Sequence, residues 1–327
     1  MSLFRAEVRD LVSRLATPVV FVDVGSRNGV LDLADIAESV EAWGFEPNPA
    51  EYAKLDSGRT DAASFGIRSP AYRALRYAPY ALFDREGTHP FYVTKGPGAC
   101  GLLEPDVERL REIRWKGRLF PRNFGDDVFE VKEVVDVPVR TLGAFASEHG
   151  VRFIDYLKID VEGAEYEVLA GAGDLLSSVG VIKVEVCFIP FRRGQKLFSH
   201  VDLLLRDKGF DLLRYETTAG QIGFKERDRS LDWMTLLDLP DRGGQPLSTD
   251  AIYVNRTLSG RDRLAAQAAI LALKGYRDEA LHVLRRKLDA ASLGAAPLVR
   301  ALEERERSPW ARRAVKAALA ARRFIAG

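Results

Sequence analysis

Four short segments gather the residues that can do chemistry. The first is Val22-Asp23-Val24-Gly25-Ser26-Arg27-Asn28-Gly29. An acidic residue followed by two glycines lets a chain bend sharply beneath a bound nucleotide, because glycine admits close approach and left-handed backbone. Amides at the start of a following helix would favour a carboxylate or phosphate. Asp23 would repel a pyrophosphate lying on this turn, and the Gly-x-Gly-x-x-Gly pattern of dinucleotide sites is missing. A cationic sulfonium ligand with an amino-acid end suits the charge better. The second segment is Phe45-Glu46-Pro47, with Glu46 lying 23 residues after Asp23. A carboxylate at that distance can accept both ribose hydroxyls, as in other doubly wound folds.

The third segment is Leu157-Lys158-Ile159-Asp160-Val161-Glu162-Gly163-Ala164-Glu165. Its apolar residues predict a strand that delivers Asp160 to the carboxyl edge of a sheet, where ligands bind in open α/β folds. Three carboxylates this close together point to binding or proton transfer. Glu165 also fits the first turn of a helix, where negative charge is favourable. The fourth segment is Lys183-Val184-Glu185-Val186-Cys187-Phe188, followed by Gly194–His200. Glu185 inside an apolar strand is costly unless it is paired or used. His200 can act as a base near neutral pH. Asp160, Glu185 and His200 are therefore the candidate catalytic groups. Asp160 with Glu162 or Glu185 also offers oxygen ligands of the kind Mg²⁺ takes. The four scattered histidines and the two cysteines, Cys100 and Cys187, form no dedicated metal pattern, so no metal ligands are assigned.

The elements that must position these residues follow from periodicity. Residues 3–15 read as an amphipathic helix ended by Pro18. Val19–Val24 is a short β-branched run ending in glycine, which predicts a buried parallel strand. Residues 30–37 are expected as helix, 40–45 as a second strand, 50–56 as helix and 75–82 as a third strand. Residues 128–139 alternate in polarity and predict a half-exposed strand, with Thr141 capping a helix over 141–149. After that, strands at 154–159, 181–187, 211–215 and 251–254 alternate with helices at 165–176 and 198–208. Such alternation implies a doubly wound, mostly parallel sheet in an α/β fold.

Composition narrows the function classes. The chain has 327 residues, room for one large α/β domain and an appendage. Arg5, Glu7, Arg9 and Asp10 interrupt the N-terminus, and no apolar run approaches the ~18 residues of a membrane span. With so few cysteines, a cytoplasmic location is expected. From Arg256 onward the chain carries 16 Lys/Arg against 7 Asp/Glu, while the preceding part is net acidic. This basic helical stretch suits a solvated surface, or contact with a peripheral membrane or an acidic partner. Nucleic acid is disfavoured as a partner, because the basic charge lies away from the motifs.

The four segments in this order resemble the FkbM family of methyltransferases. The matching residues are Asp23-Val-Gly-Ser-Arg-Asn-Gly29, Phe45-Glu-Pro47, Lys158-Ile-Asp-Val-Glu-Gly-Ala-Glu-Tyr-Glu-Val-Leu-Ala-Gly171 and Val184-Glu-Val186. The resemblance spans roughly residues 19–255. It implies a class I methyltransferase (Rossmann-like) fold, S-adenosylmethionine as donor, and O-methylation of a hydroxyl on a sugar, glycan or natural product. It implies that Asp23, Gly25, Ser26, Asn28 and Gly29 surround the donor's amino-acid end. It also implies that Glu46 holds the ribose and that the backbone at Ala81 and Leu82 lies near the adenine. Arg27 and Asn28 depart from the family's usual residues, as do Cys100 and Gly101 in the Gly98–Pro105 loop.

The expected organisation is an N-terminal helix over 1–18, a methyltransferase domain over 19–257, and a basic C-terminal helical region over 258–327. Loops 96–125 and 188–197 are expected to line the acceptor pocket. They carry Arg114, Trp115, Lys116, Arg118, Arg122, Arg192 and Arg193, a lining that would suit an anionic or phosphorylated acceptor, although solvated arginines are the more common reason for such a set. The rival readings are a nucleotide-binding oxidoreductase and a non-catalytic partner protein that docks through its basic helices.

Overall fold

The structure is a computed structural model that describes residues 4–116, 128–224, 245–288 and 294–307. Its strands, in chain order, are β1 (Val19–Val24), β2 (Val40–Phe45), β3 (Ala74–Ala78), β4 (Ala81–Phe83), β5 (Gly87–Thr94), β6 (Ile113–Lys116), β7 (Val131–Thr141), β8 (Ile154–Ile159), β9 (Val179–Cys187), β10 (Phe210–Phe224) and β11 (Gln245–Asn255). Eight of them form one sheet in the order β3-β2-β1-β8-β9-β11-β10-β6. The first five run parallel, and the last three extend the sheet antiparallel. The expected α/β fold with a mostly parallel, doubly wound sheet is present. The chain passes from β1 outward to β3 and later returns to β8 on the other side of β1. The β1/β8 junction is therefore the topological switch point, where open α/β sheets bind ligands.

Alternation along the strands sorts the core into two layers. Phe21 of β1, Tyr156 of β8 and Val181 of β9 face one layer, with the helices Arg5–Ser13 and Arg261–Leu273. Val22, Val24, Leu157, Ile159, Ile182 and Val184 face the other. There they meet the helices Leu142–Glu148, Glu165–Ala170 and Phe198–Asp207. A small sheet in the order β4-β7-β5 stands beside the carboxyl edge.

Three local expectations are corrected. Residues 75–82 are two strands in two different sheets, because Pro79 between them restricts its own φ and the conformation before it. Residues 30–37 form a turn and then a 3₁₀ helix, Ala34–Ser39, not an α-helix. Tertiary bonds to Asp32 hold that turn. Its carboxylate accepts from the Tyr156 hydroxyl at 2.9 Å and pairs with Lys274 at 2.9 Å, while Tyr72 donates to its carbonyl. The helix expected over 165–176 stops at Ala170 and resumes as a 3₁₀ turn over Gly173–Ser178. Gly171 lies between them, packed so tightly that a Cβ there would sit 2.1 Å from the Phe83 carbonyl oxygen.

The C-terminal helices, expected as an appendage, are a layer of the core. Helix Arg261–Leu273 buries its residues from Leu264 to Ala272 against β8 and β9 and the N-terminal helix. Gln267 within it is fully buried and donates to the carbonyls of Gly180 (2.9 Å) and Asn255 (3.0 Å), fixing the helix over the sheet. The basic charge of this region meets the acidic charge of the rest. Arg263 pairs with buried Asp155 at 2.5 Å, Lys274 with Asp32, and Arg256 with Asp211 at 2.8 Å. The final residues 308–327, which carry much of the expected docking charge, lie outside the described residues. No helix among the described residues is long and apolar enough to cross a membrane.

If the C-terminal helices complete the core, Ile270→Ala should cost about 2–5 kcal/mol of stability, the range for truncating a buried side chain. Leu203→Ala, at a position 64% exposed, should stay within about 0.5 kcal/mol. Denaturant unfolding measures both, and equal effects would contradict the layered core.

Candidate active site at the carboxyl edge of the sheet

A cleft of about 280 Å³ opens at the switch point. The glycine turn after β1, the Glu46 loop after β2, the start of β4, the loop 97–102 and the segment 158–162 all line it. Gly25 makes the cleft's floor feasible. It has a left-handed φ of +92°, and a Cβ there would lie 1.9 Å from the Asp160 carbonyl oxygen. Its amide donates to the Phe45 carbonyl at 3.3 Å, and the Asp160 amide donates to that of Val24 at 3.0 Å. Three strand ends are thus stitched together at one point.

The structure brings most of the expected donor residues to this cleft but gives several of them different tasks. Gly25, Ser26, Asn28, Gly29, Glu46, Ala81 and Leu82 all line it. The Ser26 hydroxyl turns away and donates to the Phe45 carbonyl at 3.3 Å. The Asn28 side chain accepts from the Ala62 amide at 3.4 Å. Arg27 pairs with Asp61 at 2.8 Å and Glu51 at 3.3 Å, and Lys54 binds the same two carboxylates. The departures at positions 27 and 28 therefore tether the turn to the helices that follow β2. Because no α-helix follows Gly29 directly, the helix-start amides expected there are not formed.

Asp23 does not line the cleft, which corrects the expectation of direct contact with the donor. It is 2% exposed and pairs with Lys158 at 3.0 Å, its register partner across β1 and β8. Burial pushes its carboxyl up to about 6, with Lys158 pulling against that rise. Lys158 also reaches Asp160 at 3.9 Å, and these two carboxylates raise its ammonium above the usual range against the opposing effect of burial. Lys158 lines the cleft, and the sequence reading gave it no role. A lysine in an apolar strand beside an aspartate's register position was the available signal.

Glu46 is 5% exposed, and burial pushes its carboxyl up to about 7. One oxygen accepts from the Asn48 amide at 2.9 Å. An acceptor of this kind, buried at the wall of a cleft, fits a pair of ribose hydroxyls.

At the edge of the cleft, Asp160 and Glu162, which line it, and Glu185 each place a carboxylate oxygen within 4.8 Å of the others. Alternation explains Glu185. It shares the face of Val181 and Lys183 and so points to the side of Lys158 and Asp160. Burial and the neighbouring carboxylates raise Glu185 well above the usual carboxyl range. Burial also raises Glu162, whose partner is Arg192 at 3.3 Å. Asp160 is the most accessible of the three, with its side chain 44% exposed. Glu165 serves the backbone. It accepts from the amides of Val161 (3.1 Å) and Gly163 (3.0 Å) and closes the loop that carries Glu162.

His200 is not brought to this cluster. It begins a helix that packs through Val201 and Leu205 on the opposite face of the sheet. There its Nδ1 accepts from the Leu197 amide at 3.3 Å, and its ring meets Tyr166. It is an exposed helix-capping group. The basic acceptor lining is corrected in part. Arg192 is a buried internal residue, and Arg193 pairs with Glu104 at the surface. Arg118 and Arg122 lie outside the described residues, and Arg114, Trp115 and Lys116 form β6.

The sequence matches the Methyltransferase FkbM domain over residues 23–212, more than half of the chain. It is 28% identical over 229 residues to the methyltransferase sdnD of Sordaria araneosa, covering 65% of this chain and 81% of that protein. It is 26% identical over 206 residues to the 2-O-methyltransferase NoeI of Sinorhizobium fredii (strain NBRC 101917 / NGR234), covering 60% and 75%. Among solved structures, magnesium protoporphyrin IX methyltransferase of Synechocystis PCC 6803 with bound SAM aligns with 77% of this chain and 79% of that one. The identity there is 11% and the TM-score 0.33. With the first three segments lining one cleft, Glu185 of the fourth beside them, and the domain matched across all four, the chain belongs to the FkbM methyltransferase family and is an S-adenosylmethionine-dependent methyltransferase.

Proposed function

We propose that this enzyme methylates a hydroxyl of a sugar, glycan or natural-product acceptor. The observation that carries this reading is the carboxylate cluster Asp160–Glu162–Glu185 at the edge of the cleft. It places proton-accepting oxygens where a neutral hydroxyl would be activated. When bound, S-adenosylmethionine supplies an electrophilic methyl group on a cationic sulfur. The chain's own residues do the rest. Gly25 leaves room for the donor against the backbone, Glu46 accepts from its ribose hydroxyls, and Ala81 and Leu82 flank its adenine. Lys158, held by Asp23, orients Asp160 toward the acceptor side.

Three carboxyls within 4.8 Å do not all ionise, because like charges this close disfavour each other. Glu185 keeps its proton, Arg192 pairs with Glu162, and Asp160, the most exposed of the three, is left facing the acceptor side. Asp160 then takes the hydroxyl proton as the acceptor oxygen bonds to the methyl carbon and the sulfur regains its electron pair. With charge balanced in this way, we assign no metal ion to the cluster, and turnover should persist after thorough chelation. Residues 19–257 carry these groups as the methyltransferase unit, braced by the described helices between Arg261 and Arg307.

Two experiments test this reading. Calorimetry with S-adenosylhomocysteine should show binding that is strongest above pH 7 and weakens as pH falls through about 7, where Glu46 gains a proton and loses an acceptor oxygen. Glu46→Gln should weaken binding about tenfold or more and flatten this pH dependence. Binding that ignores both pH and the substitution would remove Glu46 from the donor site. In turnover assays, Asp160→Asn should lower kcat by about 10²–10⁴ with donor affinity retained. Glu185→Gln, which mimics the protonated acid, should retain most activity. The reverse pattern would make Glu185 the base.

A further inference from the structure

The most deeply buried charge in the described structure is Arg192, and it stands between the two loops that frame the active site. Its side chain is 0% exposed. One terminal nitrogen donates to the Ala99 carbonyl at 2.7 Å and reaches the Glu162 carboxylate at 3.3 Å. The other donates to the Leu103 carbonyl at 3.1 Å. The guanidinium lies over the rings of Phe129 and Phe191, at 5.6 and 5.7 Å from their centres.

These contacts bear on the donor cleft without entering it. Pro97, Gly98, Cys100, Gly101, Leu102 and Glu162 line that cleft, whereas Arg192 does not. The arginine therefore grips the back of the loop that forms the cleft's roof. Its own loop is fixed in turn. The Gln195 side-chain oxygen accepts from the amides of Phe191 (3.0 Å) and Arg192 (3.3 Å), and the Asp106 amide donates to the Phe191 carbonyl at 3.0 Å. Two glycines accommodate the guanidinium stem. A Cβ at Gly163 would lie 2.7 Å from Arg192 Cδ, and one at Gly101 would lie 3.3 Å from Arg192 Nη1.

A planar fork with several fixed donors can bind two carbonyls and a carboxylate at once, which a lysine ammonium cannot reproduce with the same geometry. Removing it leaves buried carbonyls and a buried carboxylate without partners. Packing alone does not call for an arginine here, because well-packed apolar residues of similar volume often replace a buried ion pair at no cost in stability.

We propose that Arg192 is a positioning residue that holds the 97–103 roof and Glu162 in their donor-binding shape, so that the loop following β9 sets donor affinity from outside the cleft. The inference rests on the placement of S-adenosylmethionine in this cleft.

Calorimetric titration of the full chain with S-adenosylhomocysteine tests it. Arg192→Lys should weaken binding about tenfold or more. Arg192→Ala should weaken it further, and millimolar guanidinium chloride should restore part of the loss where sodium chloride does not. Arg193→Ala, which removes the adjacent surface pair with Glu104, should bind as the wild type does. If Arg192→Lys binds within about twofold of wild type while its thermal midpoint falls, Arg192 only stabilises the fold and the inference is overturned. Hydrogen exchange on the wild-type protein gives a check independent of any variant's folding. The ligand should slow amide exchange at 191–193 together with 97–103, and protection confined to 97–103 would overturn the inference. A wild-type protein that binds no S-adenosylhomocysteine would instead overturn the placement of the donor.

Discussion

The main chain of Gly25 passes the carbonyl oxygen of Asp160 so closely that no other residue fits, and the site is built around that contact. It occurs where β1 and β8 end side by side, at the point where the chain has wound outward in one direction and begins to wind in the other. Parallel pairing continues to that edge and leaves the two loops to part above it. The gap between them is the cleft. Behind the contact, the Asp23–Lys158 pair joins the same two strands across one register step. A buried pair of this kind is weak as a source of stability but costly to break from one side. Its value here is geometric, because Lys158 carries the pull of Asp23 forward to Asp160.

Electrostatics at the edge follow from strand alternation. Lys158, Asp160, Lys183 and Glu185 all project to one side of the sheet, so acids and lysines collect in one place. His200 is close in sequence to this group but belongs to a helix on the other side. The crowding of Asp160, Glu162 and Glu185 has a direct consequence. Burial raises both Glu162 and Glu185 above the usual carboxyl range, while Asp160 stays the most exposed of the three, so similar side chains sit in different surroundings.

The C-terminal helices show how charge can mislead when it is counted along a chain. The segment is strongly basic and the remainder acidic, which suits a solvated surface or one that meets an external partner. Part of that charge is used internally. Arg263, Lys274 and Arg256 meet Asp155, Asp32 and Asp211 from the earlier part of the chain. The low hydrophobic contrast of helix Arg261–Leu273 has the same origin. Alanines and leucines on all its sides are buried between the sheet and neighbouring helices.

Sequence alone determined the alternation of strands and helices, the glycine turn, the position of Glu46 and the approach of Asp160 to a sheet edge. These are local properties: an apolar run, a φ that only glycine tolerates, a carboxylate just beyond a strand. It could not determine which side chains meet. Pro79 divided one expected strand between two sheets, bonds to Asp32 replaced a helix with a turn, and a buried arginine at position 192 proved to hold a loop some ninety residues earlier in the chain. Each depends on partners far away in sequence, whose distance and facing are set only when the sheet closes and its two faces are covered. The donor turn was legible because its constraint lies in the backbone of a few consecutive residues. The pairing of Asp23 with Lys158 and the parting of Glu185 from His200 were decided by register and face, which exist only in the folded sheet.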